Sequence, residues 1–353
     1  MSESQLQVAA GYMADAHKHT KPGWFRKPEW DIAAQYYEKA ANAYKAARST
    51  TNAIEAYQKS AEANTKFTSL FLAGKSLESA ATLAQQAGDN TLAAELYIKA
   101  SDLFMAHGAS PDKSADMVEK AALQCEPIDL ERTLELYTQC CAIFESEERE
   151  RLGIDTIKRA VACAVRHNQY PKALFFLDKL AKASQVLTRK SEIDKAKLSS
   201  VVVLLAMDDV VEARKRLDQW LFADPSDARL GSLAPMATGA GSQWGPSGSA
   251  AAPEPRAMSP EAQVGQAMVS AFEQWDGERL REILNDQRHA QTIHFLPAEV
   301  AKLTRTYRIP GKPMAQSSGP VAPTSTTTAT SPQPGHRTGT NAPEEEEDDD
   351  GLC

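Results

Sequence analysis

Small and bulky apolar residues recur along this chain with two nested periods. Within "AAQYYEKAANAYKAA" (33–47), "AIEAYQKSAEA" (53–63), "AAELYIKASDLFMA" (93–106), "TLELYTQCCAIF" (133–144) and "KALFFLDKLAKA" (172–183), small residues stand three or four positions from a large one. That is the spacing of a single helical face, and Ala34, Tyr37, Ala41 and Tyr44 trace such a stripe. Between segments a large residue returns at Tyr37, Tyr57, Leu77, Tyr97, Val118, Tyr137, Ile157 and Phe176, nearly every 20 positions, the length of one helix and its turn. Turn chemistry falls in the gaps: "GDN" at 88–90, "GASPD" at 108–112 with Ser110 as N-cap and Pro111 at the first helical position, and "EPID" at 126–129. The small residues let a neighbouring helix approach while the large ones fill the space between. Truncating one of these rings to Ala should cost about 3–5 kcal/mol.

No stretch alternates β-branched and polar residues over a strand's length, so the pattern predicts an all-α fold. Two helices per repeat, stacked in order, make a TPR-like α-solenoid of antiparallel helix pairs, each unit longer than the ~34-residue tetratricopeptide norm. The solenoid is expected over 1–232. Residues 233–260, rich in Gly, Pro and Ser, read as a flexible insertion, and 261–308 resume the helical pattern as a C-terminal helical bundle. Residues 309–353 form a Pro/Ser/Thr linker and an acidic tail.

Charge narrows the partners. Of a net charge of −8, the run Glu344–Asp350 supplies −7, which leaves −1 for everything else. A nearly neutral body argues against nucleic acid as a partner. The longest apolar run, "VVVLLAM" at 201–207, is far short of the roughly 20 residues that span a bilayer. The N-terminus lacks the basic and apolar blocks of a secretory signal, so the expected location is the cytosol. Cys125, Cys140, Cys141 and Cys163 fall within helical patterns without C-x-x-C spacing, which predicts reduced core thiols. Cys353 is the last residue, whereas prenylation needs a cysteine four from the end.

Catalytic chemistry is thinly represented. "GKS" at 74–76 would belong to a phosphate loop only with a glycine at 69, which is Ser, and the segment has helical period. His17 and His19, two apart, point to different helix faces. The reading is of a non-enzyme without cofactor or metal.

The stretch "KPGWFRKPEW" (21–30) stands apart. Pro28 suits the first position of the next helix, with Glu29 and Asp31 in its first turn, and Trp30 shares a face with Ala34 and Tyr37 as core. Trp24 and Phe25 have no periodic partners. They either fold back onto the end of the solenoid or stand exposed. Exposed, and flanked by Lys21, Arg26 and Lys27, they suit the interface of an anionic leaflet, where each basic residue is worth about 1 kcal/mol.

Taken in order, the aromatic loop before "DIAAQYYEKAANAYKAAR", the helices bearing "AAELYIKASDLF" and "LERTLELYTQCCAIFESEERERLGIDTIKRA", and an acidic end closing in Gly-Leu-Cys resemble the soluble NSF attachment protein (SNAP) family, most closely its gamma branch. The resemblance covers 1 to about 232 and resumes near 261–308. It implies an adaptor in vesicular trafficking that coats assembled SNARE helical bundles and recruits the hexameric AAA ATPase N-ethylmaleimide-sensitive factor (NSF), hydrolysing nothing itself. It also implies that Trp24 and Phe25 face the membrane, as a peripheral contact. Lys158 aligns with a basic SNARE-binding position of the family, with Lys120 and Arg159 as neighbouring candidates. Glu273, with Asp276 and Glu278 nearby, and the penultimate Leu352 correspond to ATPase contacts. The insertion and the long linker depart from the family and leave room for a second reading, a passive TPR-like scaffold or tethering adaptor without ATPase coupling.

Overall fold

A computed structural model describes residues 2–22, 27–222 and 258–309. Among the described residues the chain is helical and without strands. The first eleven helices are α1 (Ser2–Thr20), α2 (Trp30–Ala46), α3 (Thr50–Lys66), α4 (Leu70–Gln86), α5 (Asn90–His107), α6 (Pro111–Cys125), α7 (Leu130–Ser146), α8 (Glu150–Arg166), α9 (Tyr170–Val186), α10 (Lys190–Ala206) and α11 (Val210–Phe222). From residue 258 onward come α12 (Pro260–Glu273), α13 (Gly277–Asn285), α14 (Gln287–His294) and α15 (Ala298–Leu303). Consecutive helices pack against one another, as the repeated pattern predicts for an all-α solenoid.

The regular period comes from one joint used over and over. Seven of the first eleven helices are 17 residues long and end in a three-residue connection whose middle member has positive φ: Arg48, Thr68, Gly88, Glu148, Asn168, Thr188 and Asp208. The next residue closes the turn by donating its N–H to the carbonyl five back, as Ser49 does to Tyr44 (2.9 Å), Gln169 to Ala164 (2.8 Å) and Asp209 to Leu204 (3.0 Å). This is the six-to-one bond of a Schellman cap. The donor that closes one helix is also the N-cap position of the next, so a chain reversal takes only three residues. The joint at 126–129 differs for a local reason. Pro127 occupies the place of Ala47, whose N–H bonds to the carbonyl of Ala43, and proline has no N–H to give. There Ile128 and Asp129 both donate to the Cys125 carbonyl, and no residue is left-handed.

Packing follows the two residue sizes. Ala33, Ala53, Ala73, Ala93, Ala173 and Ala213, at matching positions of successive repeats, are completely buried, and Tyr57, Tyr97, Tyr137 and Phe176 are buried with them. Two tyrosine hydroxyls escape the cost of burial by reaching polar groups on the preceding helix: Tyr57 donates to Asn42 Oδ1 (2.7 Å) and Tyr97 to Gln85 Oε1 (3.0 Å). The "GKS" segment lies inside α4 with Gly74 buried, so no phosphate loop exists there.

Ion pairs between residues about two helices apart sort the stack into two layers. Glu78–Lys120 (3.1 Å), Glu119–Arg159 and Lys158–Glu192 (2.9 Å) run α4 to α6 to α8 to α10, while Glu145–Lys179 (2.6 Å) and Asp178–Arg216 (2.9 Å) run α7 to α9 to α11. Each exposed pair contributes about 0–1 kcal/mol, so they set register more than they hold the fold. The "VVVLLAM" run makes most of the C-terminal half of α10, where Val201–Leu205 are all buried. Such a helix is apolar all round because it is covered all round: α9 and α11 flank it, and α12 and α15 lie against it. Tyr307, half-buried, donates its hydroxyl to the Val202 carbonyl at 2.7 Å and ties the C-terminal helices to this core, so the described helices form one unit.

Candidate functional surfaces

The base of the aromatic loop is clamped. Glu29 N–H donates to the His19 carbonyl (2.9 Å), and the Glu29 carboxylate meets His19 Nδ1 at 2.6 Å. The His19 ring in turn stacks on Tyr36, with centroids 5.5 Å apart and planes within 7°. This corrects the expected helix start: α2 begins at Trp30 with Glu29 at the N-cap, and Pro28 lies outside it. Glu29 turns its carboxylate back to His19 instead of along the first helical turn. Trp30 is half-buried against the cluster of Ala33, Ala34 and Tyr37, with Lys66 Nζ 4.2 Å from its ring centre. Lys21 and Lys27 are exposed on either side of the loop, while Trp24, Phe25 and Arg26 lie outside the described residues.

The three basic residues predicted to bind an acidic partner come together on α6 and α8, neighbours in one layer, and none is free. Lys120 bonds Glu78 at 3.1 Å and Asp116 at 2.9 Å. Burial works to lower its pKa, but the hydrogen bonds and charges of the two carboxylates leave it above the ordinary lysine value. Lys158 pairs with Glu192, and Arg159 with Glu119, which also accepts from Thr156 Oγ1 at 3.1 Å. Burial would raise the Glu192 carboxyl, but Lys158 and Lys195 hold it below its usual value.

At the other end, Glu273 makes a two-pronged pair with Arg214, at 2.7 Å to Nε and 2.5 Å to Nη2. Asp276 caps α13 by accepting from Arg279 N–H at 2.8 Å, and Glu278 is exposed in the first turn of that helix. Leu352 lies outside the described residues.

Residues 7–229 match the family described as "Soluble NSF attachment protein, SNAP". The chain belongs to the SNAP family. It is 28% identical over 299 residues to "Gamma-soluble NSF attachment protein" of Dictyostelium discoideum, covering 84% of this chain and 82% of the relative. To the Arabidopsis thaliana protein of the same name it is 29% identical over 221 residues, 61% of this chain and 76% of that one. A crystal structure of BtubC from P. vanneervenii aligns with 70% of this chain at TM-score 0.35 and 15% identity, a likeness too loose to bear on function. Among the described residues of this SNAP chain, no helix is long and apolar enough to cross a membrane.

Two features of this SNAP chain were not singled out from the sequence. Trp275, between Glu273 and Asp276, is 42% exposed and has φ of 55°. It occupies the left-handed place of the repeated joint, where Asp276 N–H donates to Ala271 O at 2.9 Å, and that place points its side chain outward. The second is a cluster of Glu126, Cys163 and His167, whose ligand atoms all lie within 4.8 Å of one another. Cys163 and His167 are four apart on one helix, a spacing open to inspection, but Glu126 comes from a helix two earlier and only the fold delivers it.

Proposed function

We propose that this chain is an adaptor of vesicular membrane trafficking that lies along assembled SNARE bundles and recruits and stimulates NSF. The single observation that carries this reading, beyond family membership, is that Lys120, Lys158 and Arg159 converge on adjacent helices of one layer, beside carboxylates that already neutralise them. An acidic helical bundle approaching this face would exchange carboxylate for carboxylate. Such an exchange leaves this chain's own carboxylate unpaired each time the partner's takes its place, which keeps each contact weak and reversible and suits a protein that must release its partner after each cycle.

The other proposed contacts follow the chain's two ends. Trp24 and Phe25, with Lys21, Arg26 and Lys27, form a peripheral membrane contact that raises local concentration beside the bilayer. Glu273, Asp276, Glu278 and Leu352 face the ATPase. Family membership also favours an adaptor over an enzyme. Reconstitution of SNARE complex, NSF, ATP and this protein tests the reading: bundle disassembly should accelerate when the protein is added. No acceleration, with SNARE binding intact, would favour the passive scaffold. Replacing Trp24 and Phe25 with Ser should slow disassembly of liposome-bound SNAREs and spare soluble ones; equal loss in both assays would make the loop structural.

A further inference from the structure

We propose that Glu126, Cys163 and His167 form a transition-metal site, with Zn²⁺ as the ion that fits it. Cys163 and His167 lie four residues apart, where one face of α8 runs into its C-cap, and Glu126 caps the end of α6, the next helix of the same layer. His167 Nε2 already stands 3.1 Å from Glu126 Oε1, and the thiol sulfur, the ring nitrogen and a carboxylate oxygen fall within 4.8 Å of each other. Ligand atoms around a tetrahedral zinc are separated by roughly 3.3–3.7 Å, given metal–ligand bonds of about 2.0–2.3 Å, so small rotamer changes would close the set. Sulfur with imidazole selects zinc or a similar borderline ion over Mg²⁺ or Ca²⁺, which prefer all-oxygen shells. Three protein ligands leave a fourth position for water.

The surroundings are consistent with a site that is reversible. Arg166 pairs with Glu126 from the surface side. Its half-exposed guanidinium can move to water or remain on the second carboxylate oxygen. Cys163 is nearly fully buried, and a metal would have to displace its proton, so binding releases H⁺ and strengthens as pH rises. The ion would tie the C-terminal ends of α6 and α8 together next to the 126–129 joint, which lacks the repeated left-handed turn. Zinc there would stiffen the layer that also carries Lys120, Lys158 and Arg159.

The test uses the full chain without an affinity tag, with Cys353→Ser to remove the terminal thiol, titrated with Co²⁺ under reducing conditions. A thiolate-to-cobalt charge-transfer band should appear at one equivalent and vanish as Zn²⁺ is added. Cys163→Ser should abolish the band. His167→Gln and Glu126→Gln, both at the rim and not in the core, should each weaken Co²⁺ binding by about tenfold or more. Absence of the band in the parent, or a band unchanged in both rim variants, overturns the proposal. The rim variants keep this decision available if Cys163→Ser fails to fold.

Discussion

Gly74 of α4 lies directly under the ring of Phe104 on α5: a Cβ at Gly74 would stand 2.9 Å from Phe104 Cε1 and 3.0 Å from Cζ. The same arrangement recurs at Gly153 and Phe144, with 3.0 Å to Cδ2. The glycine of "GKS" is therefore there to admit a ring, in a helix interior where glycine otherwise costs stability. Gly74→Ala should destabilise the chain by about 1–3 kcal/mol, because Phe104 is completely buried and has no room to move aside. Urea unfolding of the two proteins would measure it, and a stabilised variant would show that the ring yields.

The repeated joint places β-branched residues where glycine is preferred. Thr68 and Thr188 have φ of 66° and 55°, and their hydroxyls reach only the carbonyls of the preceding residues. Left-handed backbone costs an L-residue about 1–2 kcal/mol, against roughly 0.5–1 kcal/mol for the added freedom of glycine when unfolded. Thr68→Gly and Thr188→Gly should each raise stability by about 0.5–1 kcal/mol, whereas Asn168→Gly should be near neutral because Asn tolerates this region. Thermal melts of the three variants would rank them.

Glu119 holds Arg159 in place within the layer. Glu119→Gln keeps an acceptor for Thr156 but removes the charge, so stability should change by less than about 1 kcal/mol. Association with an acidic SNARE bundle should quicken at low salt, and the gain should fade as ionic strength rises. Arg159→Gln should act in the opposite direction. Stopped-flow association rates at two salt concentrations check both, and identical rates for parent and variants would remove Arg159 from the interface.

Hydrogen bonds from Arg214 hold the Glu273 carboxyl below its usual range, against a smaller effect of burial. A carboxylate depressed in the folded state stabilises above its unfolded pKa of about 4.3 and loses that contribution as pH falls through the folded value. The stability difference between the parent and Arg214→Met should therefore shrink between about pH 5 and pH 3. A difference that stays constant with pH would mean that Arg214 acts through packing alone. If Glu273 meets the ATPase, Arg214→Met also frees it for that contact.

Much of the fold could be read from the chain because its determinants are local. A helix followed by a three-residue joint sets the period, and small and large residues three or four apart define the buried face, so Tyr57, Tyr97, Tyr137 and Phe176 could be placed inward without coordinates. Where distant residues compete for a group, local reading failed. Pro28 looked like a helix start, but Glu29 is drawn back to His19 and the helix begins at Trp30. Lys158 and Arg159 show no partner along the chain because their carboxylates, Glu192 and Glu119, stand 34 and 40 positions away, and of the two partners of Lys120 only Asp116 is local while Glu78 is 42 positions away.

The sequence by itself determined the helices, their joints and their inward faces, since hydrogen bonds within one helix and contacts between successive helices depend on neighbouring residues. Only the tertiary structure decided which helices share a layer and so which charges are spent on one another. It also decided that Glu126 meets Cys163 and His167. Residues two helices apart become neighbours through the accumulated packing of everything between them, and no local pattern encodes that sum.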